Sequence, residues 1–136
     1  MKTILREQQL GLKVRSLRTL KNSYPDVVRY SQECVELCLK AALRAVGVEY
    51  PKEHDVSRIL KAVKDRFPEW FRKEVEKVGE ISRALADKRG PSLYGIESLG
   101  KTAADIFGKE DAEKALSDAK HVLEVVRKLL LELKIM

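Results

Sequence analysis

The feature that most constrains the fold is a long helical pattern within residues 30–60, where small side chains recur on one face. They are spaced three or four positions apart, and an apolar row runs beside them. The small residues are Ser31, Cys34, Cys38, Ala41 and Ala45, and the apolar row is Val35, Leu39, Ala42 and Val46. A helix with two such rows is buried on more than one side, so we expect it to be the central element of a helical bundle.

Helical periodicity also appears in the rest of the chain. It predicts an amphipathic helix through Leu10 to Leu20, a short helix from Asp55 to near Phe67, a long helix from Pro68 to a stop at Gly90 and Pro91, a short helix at 102–107, and a last long helix opening near Asp111. No stretch alternates with the period of a strand. The sequence therefore predicts an all-α fold, an antiparallel up-and-down bundle of four main helices plus one or two short helices, with residues 1–136 as a single domain.

The last helix carries more apolar surface than one neighbour in a small bundle needs. Besides its main stripe it has Val122, Val125 and Leu129. This surplus is explained equally well by a homodimer that buries it or by a wide internal core.

Composition narrows the class of protein. Lys and Arg exceed Asp and Glu by 27 to 21, a net charge of +6 that favours phosphate-rich or acidic partners. Arg6 and Glu7 interrupt the apolar core that a signal peptide needs, and no segment is apolar for long enough to cross a bilayer, so we expect a cytoplasmic protein. A charged fraction of 35% with a single Asn, Asn22, is typical of thermophiles.

The two cysteines and two histidines do not form a convincing metal site. Cys34 and Cys38 are one helical turn apart, which is too wide for an undistorted disulfide and lacks the short loop of a zinc knuckle. We predict that they pack between helices, and that the protein needs neither a metal nor a cofactor.

The order of several motifs resembles the HEPN domain, the "higher eukaryotes and prokaryotes nucleotide-binding" helical module. On the central helix these motifs are the small-residue stripe and the run from Glu36 through Lys40 to Ala41. The motifs that follow along the chain are Gly47 and Pro51, the segment His54-Asp55-Val56, the pair Ile59-Leu60, Lys88-Arg89, Tyr94 and a last helix opening on Asp111-Ala112-Glu113. The resemblance covers nearly the whole chain and implies a small stand-alone prokaryotic or archaeal member.

The resemblance also implies where function would lie. RNA-cutting HEPN toxins have an Arg followed four to six residues later by a His near the dimer interface, but here Arg89 is followed by Tyr94. A phenol exchanges protons with a ribose 2′-hydroxyl poorly at neutral pH, so we predict a protein without ribonuclease activity. The candidate nucleotide- or RNA-binding residues are Arg89, Tyr94, Lys88 and His54. The structural alternative is that Arg89 neutralises helix carbonyls, Tyr94 packs on the bundle, and His54 fixes a helix junction.

Further basic residues follow one another from the short helix into the long one. They are Arg58, Lys61, Lys64, Arg66, Arg72, Lys73 and Arg83. With Lys88 and Arg89 they predict a positive surface for RNA or nucleotide phosphates, although such a surface also serves solubility.

The leading hypothesis is therefore a homodimeric HEPN protein that acts by binding. Its ligand is a nucleotide, RNA phosphates, or, as the resemblance implies, a cognate nucleotidyltransferase in a toxin–antitoxin-like pair. One alternative is a ribonuclease toxin that uses Arg89 with Tyr94 or His54. Another is a non-enzymatic structural or adaptor dimer.

Overall fold

The computed structural model describes residues 23–50 and 52–135, and these form a helical bundle. The helices are α1 (Tyr24–Ala45), α2 (Ser57–Ala62), α3 (Glu69–Tyr94), α4 (Ala103–Ile106) and α5 (Lys109–Glu132), with 3-10 turns at Lys64–Arg66 and Glu97–Leu99. The helix predicted through Leu10 to Leu20, and Pro51, lie outside the described residues. Within the described residues no β-strand forms, and the all-α prediction is confirmed.

The central position predicted for α1 is confirmed by its burial. Ser31, Cys34, Cys38 and Ala41 are buried, and so is most of the neighbouring apolar row. Both cysteines lie in the core as free thiols. Hydrogen bonding with Cys34 and burial raise the pKa of the Cys38 thiol well above its ordinary value. The helix ends at Ala45, and Gly47 turns the chain with a left-handed φ of 77°.

The long helices alternate in direction. Arg66, just before α3, donates a hydrogen bond to the carbonyl of Val46 after α1, while Arg89 near the far end of α3 reaches the first half of α1. These contacts make α1 and α3 antiparallel. Trp70 at the start of α3 bonds Glu132 at the end of α5, so α3 and α5 are antiparallel as well.

The predicted stop at Gly90 and Pro91 is wrong, because α3 continues through Pro91 to Tyr94. Proline removes one helical donor and crowds the β-carbon of the residue before it, but Gly90 has no β-carbon. The Ser92 hydroxyl also donates to the Arg89 carbonyl over 2.7 Å. The helix ends instead at Gly95, whose φ of 70° and ψ of −158° suit glycine alone.

The surplus apolar residues of α5 belong to the internal core. Val122 and Leu129 are fully buried, and Val125 is 9% exposed. Leu116 and Leu123 of the same helix, and Leu133 just after it, are only partly buried against that core. A wide core therefore accounts for these residues without a second subunit.

Trp70 connects the first turn of α3 to the last turns of α5. Its indole N–H donates to Glu132 over 2.8 Å, and the Lys128 ammonium lies 4.3 Å from the centre of its ring. The ring also meets Phe71 edge-on, and Phe71 in turn packs against Phe67. This aromatic group joins the two helices at one end of the bundle.

Two further properties concern the described residues alone. None of their helices combines the length and the apolar character that a membrane span requires. No group of three or more His, Cys, Asp or Glu side chains in the same part of the chain is arranged to hold a metal ion.

Candidate functional site

A row of polar side chains lies on α1 beside its small-residue face. Gln32, Glu36 and Lys40 are spaced four residues apart, which places them on one side of the helix. The amide of Gln32 donates to one Glu36 oxygen over 2.9 Å, and the Lys40 ammonium donates to the other over 2.9 Å. Gln32 is only 1% exposed, so this row enters the interior at one end.

His54 reaches this row from the loop that follows α1. Its Nδ1 lies 2.7 Å from the Glu36 oxygen that also accepts from Gln32. The imidazole is half exposed, with 54% of its side-chain surface accessible. A carboxylate that accepts from Nδ1–H fixes the ring and leaves Nε2 as the proton acceptor, which is how carboxylate–histidine pairs prepare a base.

Arg89 reaches the same row from α3. Its Nη1 donates to the Gln32 oxygen over 2.9 Å and to Glu33 over 3.3 Å. Gln32 therefore accepts from Arg89 with its oxygen and donates to Glu36 with its nitrogen. A continuous hydrogen-bonded chain runs from Arg89 through Gln32 and Glu36 to His54.

These residues line one open cleft of about 230 Å³. Its walls are Glu33, Glu36, Leu37, His54 and Arg89. Burial acts to raise the pKa of Glu36, but hydrogen bonds from Lys40, Gln32 and His54 outweigh it and hold that pKa below its ordinary value. Glu36 is therefore ionised at neutral pH, and it serves as an internal anchor for three donors.

The cleft holds two groups of different chemical use. The Arg89 side chain is 24% exposed, and both of the hydrogen bonds described above are donated by its Nη1. Its planar fork of five N–H donors suits bidentate contact with a phosphate. The imidazole of His54, anchored through Nδ1, suits a hydrogen bond or a proton transfer at its other nitrogen.

The structure brings together only two of the four residues predicted from the sequence. Tyr94 follows Arg89 on the same helix by about 7.5 Å and about 140° of rotation, and its side chain is 76% exposed outside the cleft. Lys88 lines a different groove between α3 and α5, together with Lys77 and Lys114. Arg89 and His54 share the cleft, and Tyr94 and Lys88 do not.

Sequence reasoning missed the acceptors that connect the site. Gln32 and Glu33 were not singled out, and Glu36 was quoted only as part of the family resemblance. The signal was present, since polar residues at 32, 36 and 40 interrupt a helix whose neighbouring faces are small or apolar. A polar row on a buried helix is expected to have partners on another element.

The comparisons with known proteins agree with the fold. The family model described as "HEPN domain" matches residues 12–129. A protein of Methanocaldococcus jannaschii named "Putative toxin MJ1304" is 31% identical over 137 residues, covering 96% of this chain and 88% of that relative. No solved structure matches the chain significantly.

Proposed function

Because the chain belongs to the HEPN domain family, we propose that it is a toxin-like HEPN protein of the cytoplasm that binds phosphate groups of RNA or a nucleotide in the Arg89 cleft, without cutting RNA. Residues 1–136 act as one HEPN-like domain in this proposal. The observation that carries it is the convergence of Arg89 and His54 on one open cleft, connected through Gln32 and Glu36.

The toxin-like character rests on the relative and on the family resemblance. The relative that is 31% identical, over 96% of this chain and 88% of its own length, carries the name "Putative toxin". The resemblance adds a nucleotidyltransferase partner in a toxin–antitoxin-like pair. Copurification of the protein from its native host, followed by mass spectrometry, tests the partner, and recovery of the protein without a nucleotidyltransferase contradicts it.

The homodimer is supported by apolar residues beside the cleft. Leu37 lines the cleft and is 38% exposed, and Leu93, one turn beyond Arg89 on α3, is 37% exposed. A second copy meeting this face would cover both. Light scattering of the purified protein measures the mass directly, and a dimer that becomes monomeric in the Leu93→Glu variant supports this face.

Binding is tested by ligand-dependent stabilisation. A ligand that binds the folded form alone raises Tm, so ATP and a short RNA should each be titrated against thermal unfolding. The Arg89→Ala variant should lose the shift, whereas Lys77→Ala, which removes an exposed cation from the same helix, should keep it. No shift with either ligand contradicts the phosphate-binding function and favours a structural or adaptor dimer.

A ribonuclease is the second candidate function, and the contact of 2.7 Å between His54 and Glu36 favours it. His54 Nε2 would take the proton of a ribose 2′-hydroxyl, and the resulting oxygen would attack the adjacent phosphorus while Arg89 holds the phosphate oxygens. The bond from phosphorus to the 5′-oxygen breaks, and that oxygen takes a proton from solvent water, giving a 2′,3′-cyclic phosphate and a 5′-hydroxyl. Tyr94 lies outside the cleft and is not placed for this step.

Incubation with RNA separates the two functions. The binding proposal expects intact RNA after prolonged incubation with wild-type protein. Cleavage to cyclic-phosphate ends that disappears in both Arg89→Ala and His54→Ala, and persists in Tyr94→Phe, would establish the ribonuclease instead.

A further inference from the structure

A second cleft, of about 330 Å³, lies where the chain passes from α2 into α3. It is lined by Lys61, Lys64, Arg72, Val75 and Glu76. Three cations therefore face one carboxylate. These cations come from three successive elements: α2, the 3-10 turn Lys64–Arg66, and the first turn of α3.

Within the part of the chain that the structure describes, the three cations of this cleft form no ion pair with a carboxylate. Other cations of the chain do find carboxylates, such as Lys40 with Glu36 and Lys114 with Asp118. Three unpaired cations in one concave site attract an anion, and the field is strongest in such a cleft.

The elements that carry these cations pack closely against each other. Gly79 of α3 lets α2 approach closely, since a β-carbon there would lie 3.4 Å from that of Ser57 and 3.9 Å from the Cε of Lys61. The Ser82 hydroxyl accepts the Val56 N–H just before α2, over 3.1 Å. A site whose side chains extend from packed helices is held more precisely than one on a mobile loop.

The lining also restricts the ligand. Among the described residues that line the cleft there is no aromatic side chain on which a base can stack and no amide side chain that would read a base edge. Ammonium groups and a guanidinium recognise phosphate oxygens through charge and N–H donation. The expected ligand is therefore a phosphate group, and the base attached to it is not read.

The position of the cleft favours a strand over a single nucleotide. Arg72 and Arg89 are about 25 Å apart along α3, at the helical rise of about 1.5 Å per residue. One nucleotide cannot span that distance. The two clefts are linked along the chain, since His54 of the Arg89 cleft lies three residues before α2 and Lys61 of the second cleft lies in the last turn of α2. We infer that the Lys61–Lys64–Arg72 cleft binds backbone phosphates of an RNA strand, independently of base sequence.

This inference deepens the proposed function, because it assigns RNA as the ligand and adds a contact outside the Arg89 cleft. The probe is a fluorescein-labelled oligouridylate of twelve nucleotides, measured by anisotropy with full-length protein at several salt concentrations. The test variant is Lys61→Gln/Arg72→Gln. The control is Lys101→Gln/Lys109→Gln, which removes the same charge from exposed positions elsewhere.

The expected result is a selective loss of salt-dependent binding. The test variant should bind oligouridylate at least tenfold more weakly at low salt. The negative slope of log Kobs against log salt should become shallower by about 1.4, since two cations are removed and each neutralised phosphate contributes about 0.7 for a single strand. The control should remain within about twofold of wild type. Oligoadenylate should give the same pattern, because the bases are not read.

Several results would overturn the inference. Test and control variants losing affinity equally would mean that overall charge alone attracts RNA, and equal binding by wild type and test variant would remove the cleft from the contact. If inorganic tripolyphosphate binds through these residues while oligouridylate does not, the ligand is a small polyphosphate and not a strand. Urea unfolding of the test and control variants checks that both are folded.

The two proposals fail separately in this experiment. Loss of RNA binding in Lys61→Gln/Arg72→Gln with no change in Arg89→Ala supports this cleft and contradicts phosphate binding at Arg89. Loss of RNA binding in Arg89→Ala with no change in Lys61→Gln/Arg72→Gln contradicts RNA binding in this cleft and supports the Arg89 site.

Discussion

Arg89 Nη1 donates a hydrogen bond of 2.9 Å to Gln32 Oε1, joining residues 57 positions apart in the chain. Gln32 is 1% exposed, so water does not readily replace this donor. Arg89 therefore stabilises the fold as well as lining the cleft.

Arg89→Ala is expected to destabilise the protein by about 1–3 kcal/mol, because it leaves the buried Gln32 oxygen without a donor. The double variant Arg89→Ala/Gln32→Met should recover part of that loss, because the buried Gln32 oxygen is removed together with its donor, while Glu36 keeps its contacts with Lys40 and His54. Urea unfolding of the four proteins of this cycle measures the coupling. Strictly additive effects would show that the hydrogen bond makes no net contribution.

Glu36→Gln should flatten the acid limb of the stability profile. The pKa of Glu36 is lowered on folding, so its contribution is present above the unfolded value, near 4.5, and is lost as pH falls below that value through the folded one. The variant lacks this contribution at neutral pH and loses less on acidification. Free energies of unfolding measured from pH 7 to pH 2 test this, with Glu124→Gln, an exposed carboxylate on α5, as the control. Parallel profiles for Glu36→Gln and wild type would contradict it.

Gly95→Ala should destabilise the protein more than Gly100→Ala. Gly95 has a backbone conformation that costs other residues about 1–3 kcal/mol, and its new β-carbon would overlap the Lys101 carbonyl oxygen. Gly100 has an ordinary left-handed conformation with open space around it, for which about 1–2 kcal/mol is expected. Thermal unfolding ranks the two variants, and equal losses of stability would contradict the prediction that Gly95 has the more demanding backbone conformation.

Ser82→Ala and Ser31→Ala are the same substitution at two buried sites, with opposite expectations. Ser82 Oγ accepts from the Val56 N–H, so its loss should cost about 1–3 kcal/mol and accelerate hydrogen exchange of that amide. Ser31 Oγ has no hydrogen-bond partner within the described residues.

Removing the Ser31 hydroxyl should therefore be neutral or stabilising by up to about 1 kcal/mol, because an unpaired buried polar group is costly. Urea unfolding of both variants supplies the comparison. A destabilised Ser31→Ala protein with an unchanged Ser82→Ala protein would reverse the assignment.

Much of the fold follows from local patterns in the sequence. The small-residue face of α1, the turn at Gly47 and the short helix after Thr102 are properties of a few neighbouring residues, and the structure confirms them. The end of α3 was misjudged because Pro91 is a strong local signal. Its cost is offset by Gly90 and by the Ser92 hydrogen bond, which appear only when the helix is built.

The candidate site was only half predictable, for the same reason. Arg89 and His54 were identifiable by residue type, but their proximity depends on how α3 and the loop after α1 approach Gln32 and Glu36. Tyr94 was grouped with Arg89 because it is near in sequence. Helical rotation separates the two side chains, and no short motif reports that rotation once the end of the helix is misplaced.

Trp70, the single tryptophan of the chain, holds the first turn of α3 against the last turns of α5. All indole fluorescence of the protein therefore comes from one inter-helix contact. Separation of α5 from α3 would remove the Glu132 and Lys128 neighbours of the ring and expose it to solvent, so the emission spectrum reports this docking event without any added label.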